Sequence, residues 1–345
     1  MRVMKKIGVT VAVVLLLTAC VGAGFVRSLA LHTQPLADPA TTPAQLPMLQ
    51  AAPPAVRGRV LAVVTSTARV GEVSAGLELT ELSRAYYTFI ANGYDVDIAS
   101  PEGGRPPVRI DDELIDVDHA FLNDPDAQAR LDASLSLAQV DPARYAAVYF
   151  VGGKGAMFDF PGNPDVQRLV AAVYDAGGVI GAVCHGPAAL LDVTLRNGAP
   201  LLAGKRVTGF TNAEELFLIP EAREVFPFLL EDALADAARF EQGPMYLDHT
   251  IVDGRLVTGQ NPWSTWSVAE GMVRALGHPP VAREPTREER GVAVLAAFHR
   301  DGLDAATALR DRLGGTDKRL MLMHAVIAVM EGRPGDAYRL QQLAH

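Results

Sequence analysis

From residue 59 onward, short apolar runs rich in β-branched residues alternate with longer segments of helical spacing. The apolar runs are "RVLAVVT" (59–65), "YDVDIAS" (94–100), "YAAVYFVGG" (145–153) and "VIGAV" (179–183). Runs of this kind are typical of strands that are buried on both faces. The alternation predicts an α/β fold in which a mostly parallel sheet lies between helices.

The segments between these runs carry helix signals at their ends. "LELTELSRAYYTFIANG" has helical spacing and stops at Asn92-Gly93. "NPDVQRLVAAVYDAGG" begins with a cap at Asn163 and has Pro164 in its first turn. Caps, an early proline and a terminal glycine are the expected boundaries of a helix.

Cys184 comes directly after the run "VIGAV" and before "HGPAALL". In open α/β sheets, ligands bind beyond the carboxyl ends of the strands. A strand, a tight turn with small residues and a helix together predict a nucleophile elbow, whose backbone N–H groups can hold an oxyanion. A helix N-terminus lowers a thiol pKa below its usual value of about 8.5. A buried structural cysteine is the alternative, but this position favours a reactive Cys184.

The N-terminus has the pattern of a secretory signal. Arg2, Lys5 and Lys6 precede a long apolar run, and the run contains "LTAC", which ends at Cys20. "LTAC" resembles the lipobox of bacterial lipoproteins, so we expect 1–26 to be a signal peptide and lipoprotein anchor with lipidation at Cys20. An uncleaved anchor and a freely secreted form are the alternatives. Each places the folded part outside the cytoplasm, and the first places it on the membrane of the bacterial cell envelope.

Composition excludes some partners and supports a tether. The formal net charge of −9 argues against a nucleic-acid partner. The histidines at 119, 249, 299 and 324 lack metal-ligand spacing, so we expect no metal and no cofactor. Residues 27–57 are rich in Pro, Ala, Thr and Gln, which is typical of a flexible tether.

Several motifs together resemble the ThiJ/PfpI family, within the class I glutamine amidotransferase-like superfamily. They are "ASPEGG", "VGGKGAMFDF", "AVCHGPAALL", "GKRVTGFTNAEE" and "GRLVTGQNP", in that order along the chain. The resemblance covers about 58–278 and is closest to the branch of glutathione-independent glyoxalases (glyoxalase III) and heat-inducible holding chaperones. It implies the flavodoxin-like fold, for which we expect a domain over 58–280.

The resemblance also implies site residues. Cys184 takes the place of the family's nucleophile, and His185 follows it. Glu81 matches the glutamate that hydrogen-bonds the sulfur, and Glu215 matches the acidic partner of the histidine, with Glu214 as the alternative. Because adjacent residues cannot easily aim at one atom, we expect His185 to orient toward a carboxylate instead of the thiol.

Further matches and departures concern the oxyanion side of the site. Gly152 and Gly153 match the glycines whose backbone amide faces the oxyanion, where a missing Cβ permits a close approach. The family often has a histidine at Lys154, a proline at Val151 and a tryptophan at Phe158. Lys154 either adds a positive charge for an acidic substrate or points into solvent.

The chemistry implied is attack on a small reactive carbonyl. With methylglyoxal, Cys184 would form a hemithioacetal, Glu81 or His185 would move a proton through an enediol, and water would release lactate. This is a lyase of the D-lactate dehydratase type, or a related deglycase, that needs no glutathione. A cysteine hydrolase or amidase is the first alternative. A non-enzymatic holding chaperone or redox sensor is the second.

The C-terminal region, 281–345, lies outside the resemblance. "AVLAAFHRDGLDAATAL" and "AVIAVMEGRPGDAYRL" align at a spacing of 32 residues. This repeat predicts an all-helical extension of two hairpins, shorter than tetratricopeptide units. Two repeats are too few for an independent solenoid, so we expect the extension to pack on the main domain or to mediate a homodimer.

Overall fold

The computed structural model describes residues 31–53 and 55–345. They form two compact units, which are treated separately below. One unit is Ala37–Glu284, and the other combines Pro285–His345 with residues 31–36. The first unit carries every motif of the family resemblance.

A seven-stranded sheet forms the centre of the unit Ala37–Glu284. Its strands in chain order are β1 (Gly58–Val63), β2 (Tyr94–Ser100), β3 (Leu135–Ser136), β4 (Ala147–Phe150), β5 (Val179–Val183), β6 (Thr250–Asp253) and β7 (Leu256–Gly259). In space their order is β6-β7-β5-β4-β1-β2-β3. Every neighbouring pair is parallel except β6 and β7. The mostly parallel sheet confirms the predicted fold class.

Burial of the central strands explains why they are apolar throughout. All residues of β4 and β5 are buried, as expected for parallel strands that are covered on both faces. Their register sets Phe150 of β4 beside Ala182 of β5, and Gly259 of β7 beside Val183. The carboxyl ends of these strands therefore meet at one edge, where Cys184 follows.

Helices cover both faces of this sheet. They are α1 (Leu79–Ala91), α2 (Asp116–Leu122), α3 (Pro125–Asp132), α4 (Pro164–Asp175), α5 (Asn212–Leu218), α6 (Leu230–Ala237) and α7 (Thr265–Ala275). Shorter helices are Pro47–Gln50, Ala156–Asp159 and Ala222–Val225, and two-residue strands pair Arg69–Val70 with Val73–Ser74, Leu77–Glu78 with Val108–Arg109, and Arg206–Val207 with Arg239–Phe240. Every residue of α1 except Ile90 is buried, so this helix is part of the core. The cap at Asn163 is present, because its side chain accepts the N–H groups of Asp165 and Val166.

The other unit is helical, as the repeat predicts. Its helices are α8 (Arg287–Asp301), α9 (Leu303–Leu313), α10 (Lys318–Met330) and α11 (Pro334–Ala344). Helix α8 packs with α9 and α10 packs with α11, which gives two hairpins. Buried Leu295, Met321 and Leu340 belong to the core of this unit. A role of the hairpins in dimerisation stays a prediction.

The described part of the segment predicted as a tether is attached to its surroundings at several points. The side chain of Asn123 donates to the carbonyls of Pro39 and Thr41 at 2.8 Å. Close to β1, the backbone N–H of Arg57 donates to the carbonyl of Gly93 at 2.7 Å. Residues 1–26, with the predicted anchor and Cys20, lie outside the described residues. Within 31–53 and 55–345, every helix is too short or too polar to cross a membrane.

Candidate active site

Cys184 occupies a strained corner at the end of β5. Its φ is +59°, a left-handed conformation that costs a non-glycine residue about 1–2 kcal/mol. The corner is held because the Cys184 N–H donates to the carbonyl of Gly259 at 3.0 Å and its carbonyl accepts the N–H of Phe210 at 2.9 Å. Gly186 completes the turn, since a Cβ there would lie 2.3 Å from the carbonyl oxygen of Phe150. The strand, corner and following short helix form an elbow.

His185 contacts the thiol and a carboxylate together. Its Nδ1 lies 3.4 Å from Sγ of Cys184, and its Nε2 lies 2.6 Å from Oε2 of Glu215. The ring therefore faces a carboxylate, as expected, but it also contacts the thiol, which the expectation excluded. The left-handed backbone of Cys184 brings adjacent side chains toward each other, which ordinary extended or helical backbone does not. A ring that donates from Nε2 to Glu215 has the Nδ1 lone pair available to the thiol.

Glu214 has a different environment from its neighbour Glu215. Its carboxylate accepts hydrogen bonds from the backbone N–H groups of Thr211 and Tyr246 and from the side chains of Thr211, Gln260 and Asn261. These contacts join α5 to the loops that surround the site. In the structure, Glu215 is therefore the residue that contacts His185. Glu214 instead connects α5 to the surrounding loops.

Glu81 projects from the first turn of α1 into the buried side of the site and is 0% exposed. Its Oε2 accepts the backbone N–H of Gly152 at 2.7 Å. Among the described residues, Oε1 has no hydrogen-bond partner of standard geometry. The carboxyl nevertheless interacts with the Cys184 thiol, and this interaction affects the pKa of both groups.

Burial dominates the pKa of both groups. It raises the pKa of Glu81 well above its usual value. It also raises the pKa of the Cys184 thiol, as does charge on Glu81, whereas the N–H of Gly153 lowers it. The expectation of a thiol pKa below its usual value is therefore wrong, because the element after the cysteine, Gly186–Leu190, is only a five-residue 3-10 helix and the thiol is 5% exposed. A protonated thiol needs a base, and His185 is in reach.

Gly152 and Gly153 form the opposite wall of the site. A Cβ on Gly152 would lie 2.6 Å from Oε2 of Glu81 and 2.8 Å from Cβ of Cys184. Gly153 has a φ of +92°, and a Cβ there would lie 2.4 Å from the carbonyl oxygen of Gly76. Only glycine allows the backbone to come this close. The Gly153 N–H points at the sulfur, where it can also hydrogen-bond a nearby oxyanion.

Lys154 follows these glycines but its amine is engaged elsewhere. Its Nζ lies 3.3 Å from Oδ2 of Asp111, and the lysine side chain is 28% exposed. The structure thus places the amine in an ion pair at the surface of the loop. The positive charge of Lys154 is therefore paired with the carboxylate of Asp111.

Glu78 is a site residue that sequence reasoning missed. It is the N-cap residue of α1, a position that is often exposed, yet it is 5% exposed. Its Oε2 accepts the N–H of Asp111 at 3.2 Å, and its own N–H donates to the carbonyl of Gly152 at 3.4 Å. The loop after Val108–Arg109 covers this end of α1, and no local pattern in the sequence signals that cover.

Aromatic rings enclose the histidine. The ring of Phe210 lies 4.7 Å from that of His185, and the ring of Phe226 stacks on His185 at 5.9 Å and on Phe158 at 5.6 Å. Such apolar neighbours reduce water access and strengthen the contact between His185 and Glu215. Phe210 lies inside the quoted motif "GKRVTGFTNAEE", whereas Phe226 comes from a segment without a motif.

The arrangement combines a thiol, a base, a protonated carboxyl and an N–H donor. Within the described ranges, no cluster of three or more His, Cys, Asp or Glu side chains could hold a metal ion. These groups can add the thiol to a carbonyl carbon and move protons between neighbouring atoms.

Comparisons with known proteins relate this unit to enzymes of defined activity. Residues 72–275 match the DJ-1/PfpI family. Glyoxalase 3 of Candida albicans is 30% identical over 219 residues, which cover 58% of this chain and 89% of that protein. The glutathione-independent glyoxalase HSP31 of Saccharomyces cerevisiae is 32% identical over 223 residues, with the same two coverages.

Solved structures give the same relationship. The Rapid Encystment Protein 24 KDa of Francisella tularensis superposes with a TM-score of 0.60 at 35% identity and covers 64% of this chain and 99% of its own. Glyoxalase III from Candida albicans superposes with a TM-score of 0.56 at 28% identity and covers 63% of this chain and 97% of its own. Both superpositions include nearly the whole of the other chain.

The comparisons also correct the prediction of a membrane-anchored lipoprotein in the bacterial cell envelope. The curated relatives above come from yeasts and are named as glyoxalases, and neither name describes a lipoprotein or an envelope protein. The prediction relied on an apolar run and the four residues "LTAC". A motif of four small and apolar residues is too short to specify lipidation by itself.

Proposed function

This chain belongs to the DJ-1/PfpI family, and on that premise we propose that it is a glutathione-independent glyoxalase that uses Cys184 as its nucleophile. The proposed substrate is methylglyoxal or a similar small 2-oxoaldehyde, and the product is the 2-hydroxy acid, D-lactate for methylglyoxal. The observation that supports this best is the convergence of Glu81 and His185 on one buried thiol. The names of the relatives support the choice of substrate.

In the first step, Sγ of Cys184 attacks the aldehyde carbon, C1. Nδ1 of His185 takes the thiol proton, and Glu215 stabilises the imidazolium through the 2.6 Å contact. Glu81 gives its proton to the aldehyde oxygen, and the N–H of Gly153 hydrogen-bonds that oxygen as negative charge develops. The result is a hemithioacetal, an ionised Glu81 and a protonated His185.

The next steps move a proton between the two carbons. Ionised Glu81 removes the C1 hydrogen as a proton while His185 protonates the C2 oxygen, which gives an enediol. Glu81 then returns its proton to C2, and His185 accepts the hydroxyl proton of C1, so that a thioester of Cys184 forms. Water attacks C1 and gives a proton to Glu81, and the departing sulfur takes the proton of His185. The product is lactic acid, and all three residues regain their starting state.

The experiment is turnover of methylglyoxal by the purified full chain without glutathione, with both lactate enantiomers measured. We expect D-lactate from the wild type and from Cys20→Ser, the matched cysteine control, but not from Cys184→Ser. Full turnover by Cys184→Ser would exclude the proposed nucleophile. A stable acyl-enzyme with an ester substrate and no lactate would favour a hydrolase. Prevention of aggregation by a wild type that turns over neither substrate would favour a chaperone.

A further inference from the structure

Glu81 is sealed from solvent, although the proposed reaction changes its protonation state repeatedly. Its side chain is 0% exposed. The titratable groups near it are the Cys184 thiol, Glu78, Asp112 and Tyr149. The Tyr149 hydroxyl donates to the Glu81 carbonyl at 2.9 Å, and burial raises its pKa well above the usual value, so it keeps its proton. During turnover, substrate also occupies the thiol side. A proton that leaves Glu81 for solvent therefore has its path on the side of Glu78.

Glu78 is the N-cap residue of α1 and lies three residues before Glu81. Its backbone lies beneath the glycine wall, since a Cβ on Gly153 would lie 2.7 Å from the Glu78 nitrogen. The carboxyl is inside the protein but is not used by the mechanism above. Its donors are the N–H of Asp111 at 3.2 Å, the hydroxyl of Thr80 at 3.4 Å and the backbone N–H of Thr80.

On the side away from Glu81, the groups around Glu78 extend to the protein surface. The Thr80 hydroxyl lies 3.5 Å from Oδ2 of Asp112, so it contacts both carboxyls. Asp111, whose side chain is 43% exposed, is paired with Lys154 and with Arg109. Arg109 is the strand partner of Glu78 in the short parallel pair Leu77–Glu78 and Val108–Arg109. These are the charged and titratable groups around Glu78 besides Glu81.

We propose that Glu78 exchanges the proton of the buried Glu81 carboxyl with solvent through Thr80 and Asp112. It acts through Glu81 and does not touch the substrate. Burial and the charge of Asp112 raise the pKa of Glu78 to about 8, so the group can take up and release a proton near neutral pH. This inference rests on the proposed function, because it concerns the proton that Glu81 carries between C1 and C2.

The experiment is conversion of methylglyoxal in D₂O, with the deuterium fraction at C2 of lactate measured by NMR. The proton from C1 resides on Glu81 before it is returned to C2. If Glu78 exchanges that proton with solvent, wild-type lactate carries deuterium at C2. Glu78→Gln cannot transfer the proton, so we expect a several-fold lower deuterium fraction in its lactate. Glu72→Gln, a fully exposed control at 102% side-chain exposure, should match the wild type.

The outcomes separate this inference from the proposed function. No lactate from the wild type contradicts the proposed function. Lactate without deuterium from the wild type, or an equal deuterium fraction from folded Glu78→Gln, overturns the role of Glu78 alone. If Glu78→Gln fails to fold, Asp112→Asn tests the outer end of the same path. A lower deuterium fraction from Asp112→Asn supports the path, and an unchanged fraction overturns it.

Discussion

Oε2 of Glu215 lies 2.6 Å from Nε2 of His185, and both side chains are 4% exposed. At this depth the carboxylate fixes the orientation of the ring, as in other acid–histidine pairs of enzymes. The adjacent Glu214 is also buried, but its carboxylate accepts hydrogen bonds from five donor groups of the surrounding loops. Two neighbouring acids thus have separable roles.

Glu215→Gln should reduce activity with little loss of stability. The amide has the same shape but no charge to stabilise the imidazolium, so we expect kcat to fall by about 10²-fold or more. Glu214→Gln is the matched variant. The NH₂ group of the glutamine would face N–H and O–H donors and could not accept their hydrogen bonds. The substitution should therefore lower the free energy of unfolding by about 1–3 kcal/mol. Thermal melting and methylglyoxal turnover of both variants measure this, and identical effects of the two substitutions would contradict it.

Glu81→Gln should separate proton transfer from thiol reactivity. Glutamine can still donate a hydrogen bond toward the sulfur but cannot carry a proton between C1 and C2. We expect alkylation of Cys184 by iodoacetamide to stay near the wild-type rate while turnover falls by about 10²-fold or more. Glu81→Leu lacks the donor as well, so it should slow both reactions. Wild-type turnover by Glu81→Gln would assign the proton transfer to His185 instead.

The strain at Cys184 makes a prediction about stability. At a φ of +59°, a residue with a Cβ is disfavoured, whereas glycine is not. Cys184→Gly should therefore be more stable than Cys184→Ala by roughly 1 kcal/mol, although ordinary substitutions to glycine destabilise. Both variants should be inactive. Chemical denaturation compares them, and an alanine variant at least as stable as the glycine variant would mean that the corner stores no strain.

The parallel sheet, the elbow and most of the helices were predictable because they depend on local patterns. Burial on both faces makes β4 and β5 apolar throughout, and Asn163 caps its helix through its own side chain. The contact of His185 with the thiol was not predictable, since it depends on the left-handed φ of Cys184. The burial of Glu78 was missed because the loop near Asp111 that covers it is distant in sequence.

Gly152→Ala should damage the site by steric conflict alone. The added Cβ would lie 2.6 Å from Oε2 of Glu81 and 2.7 Å from the carbonyl oxygen of Val183. Glu81 would lose the backbone N–H that it accepts, so we expect turnover to fall by about 10²-fold and the melting temperature to drop. Gly335→Ala is the control, because a Cβ there meets nothing within 4 Å. Similar activities of the two variants would show that the wall can relax.

Glu78 should make the free energy of unfolding depend on pH. Burial and the Asp112 charge raise its folded-state pKa from 4.5 to about 8. Between these two values the folded chain retains a proton that the unfolded chain has lost, so stability falls as pH rises through this window. One pKa unit corresponds to about 1.4 kcal/mol. Glu78→Gln removes this contribution and should flatten the decline, while Glu81, whose pKa is also raised, keeps part of it.

Asp253 is a control for this measurement, because its contribution to stability depends on pH in the opposite direction. A hydrogen bond from the backbone N–H of Arg206 lowers the pKa of its carboxyl below the usual value. The stability that Asp253 contributes is therefore present at neutral pH and is lost in acid, as the pH falls through its folded-state pKa. Asp253→Asn should change the acid side of the profile and leave the slope between about pH 5 and 8 unchanged, because both of its pKa values lie below that window. Urea denaturation of the full chain at intervals across this range tests both variants. Parallel profiles for the wild type and Glu78→Gln would mean that Glu78 releases its proton at an ordinary pKa, despite its burial.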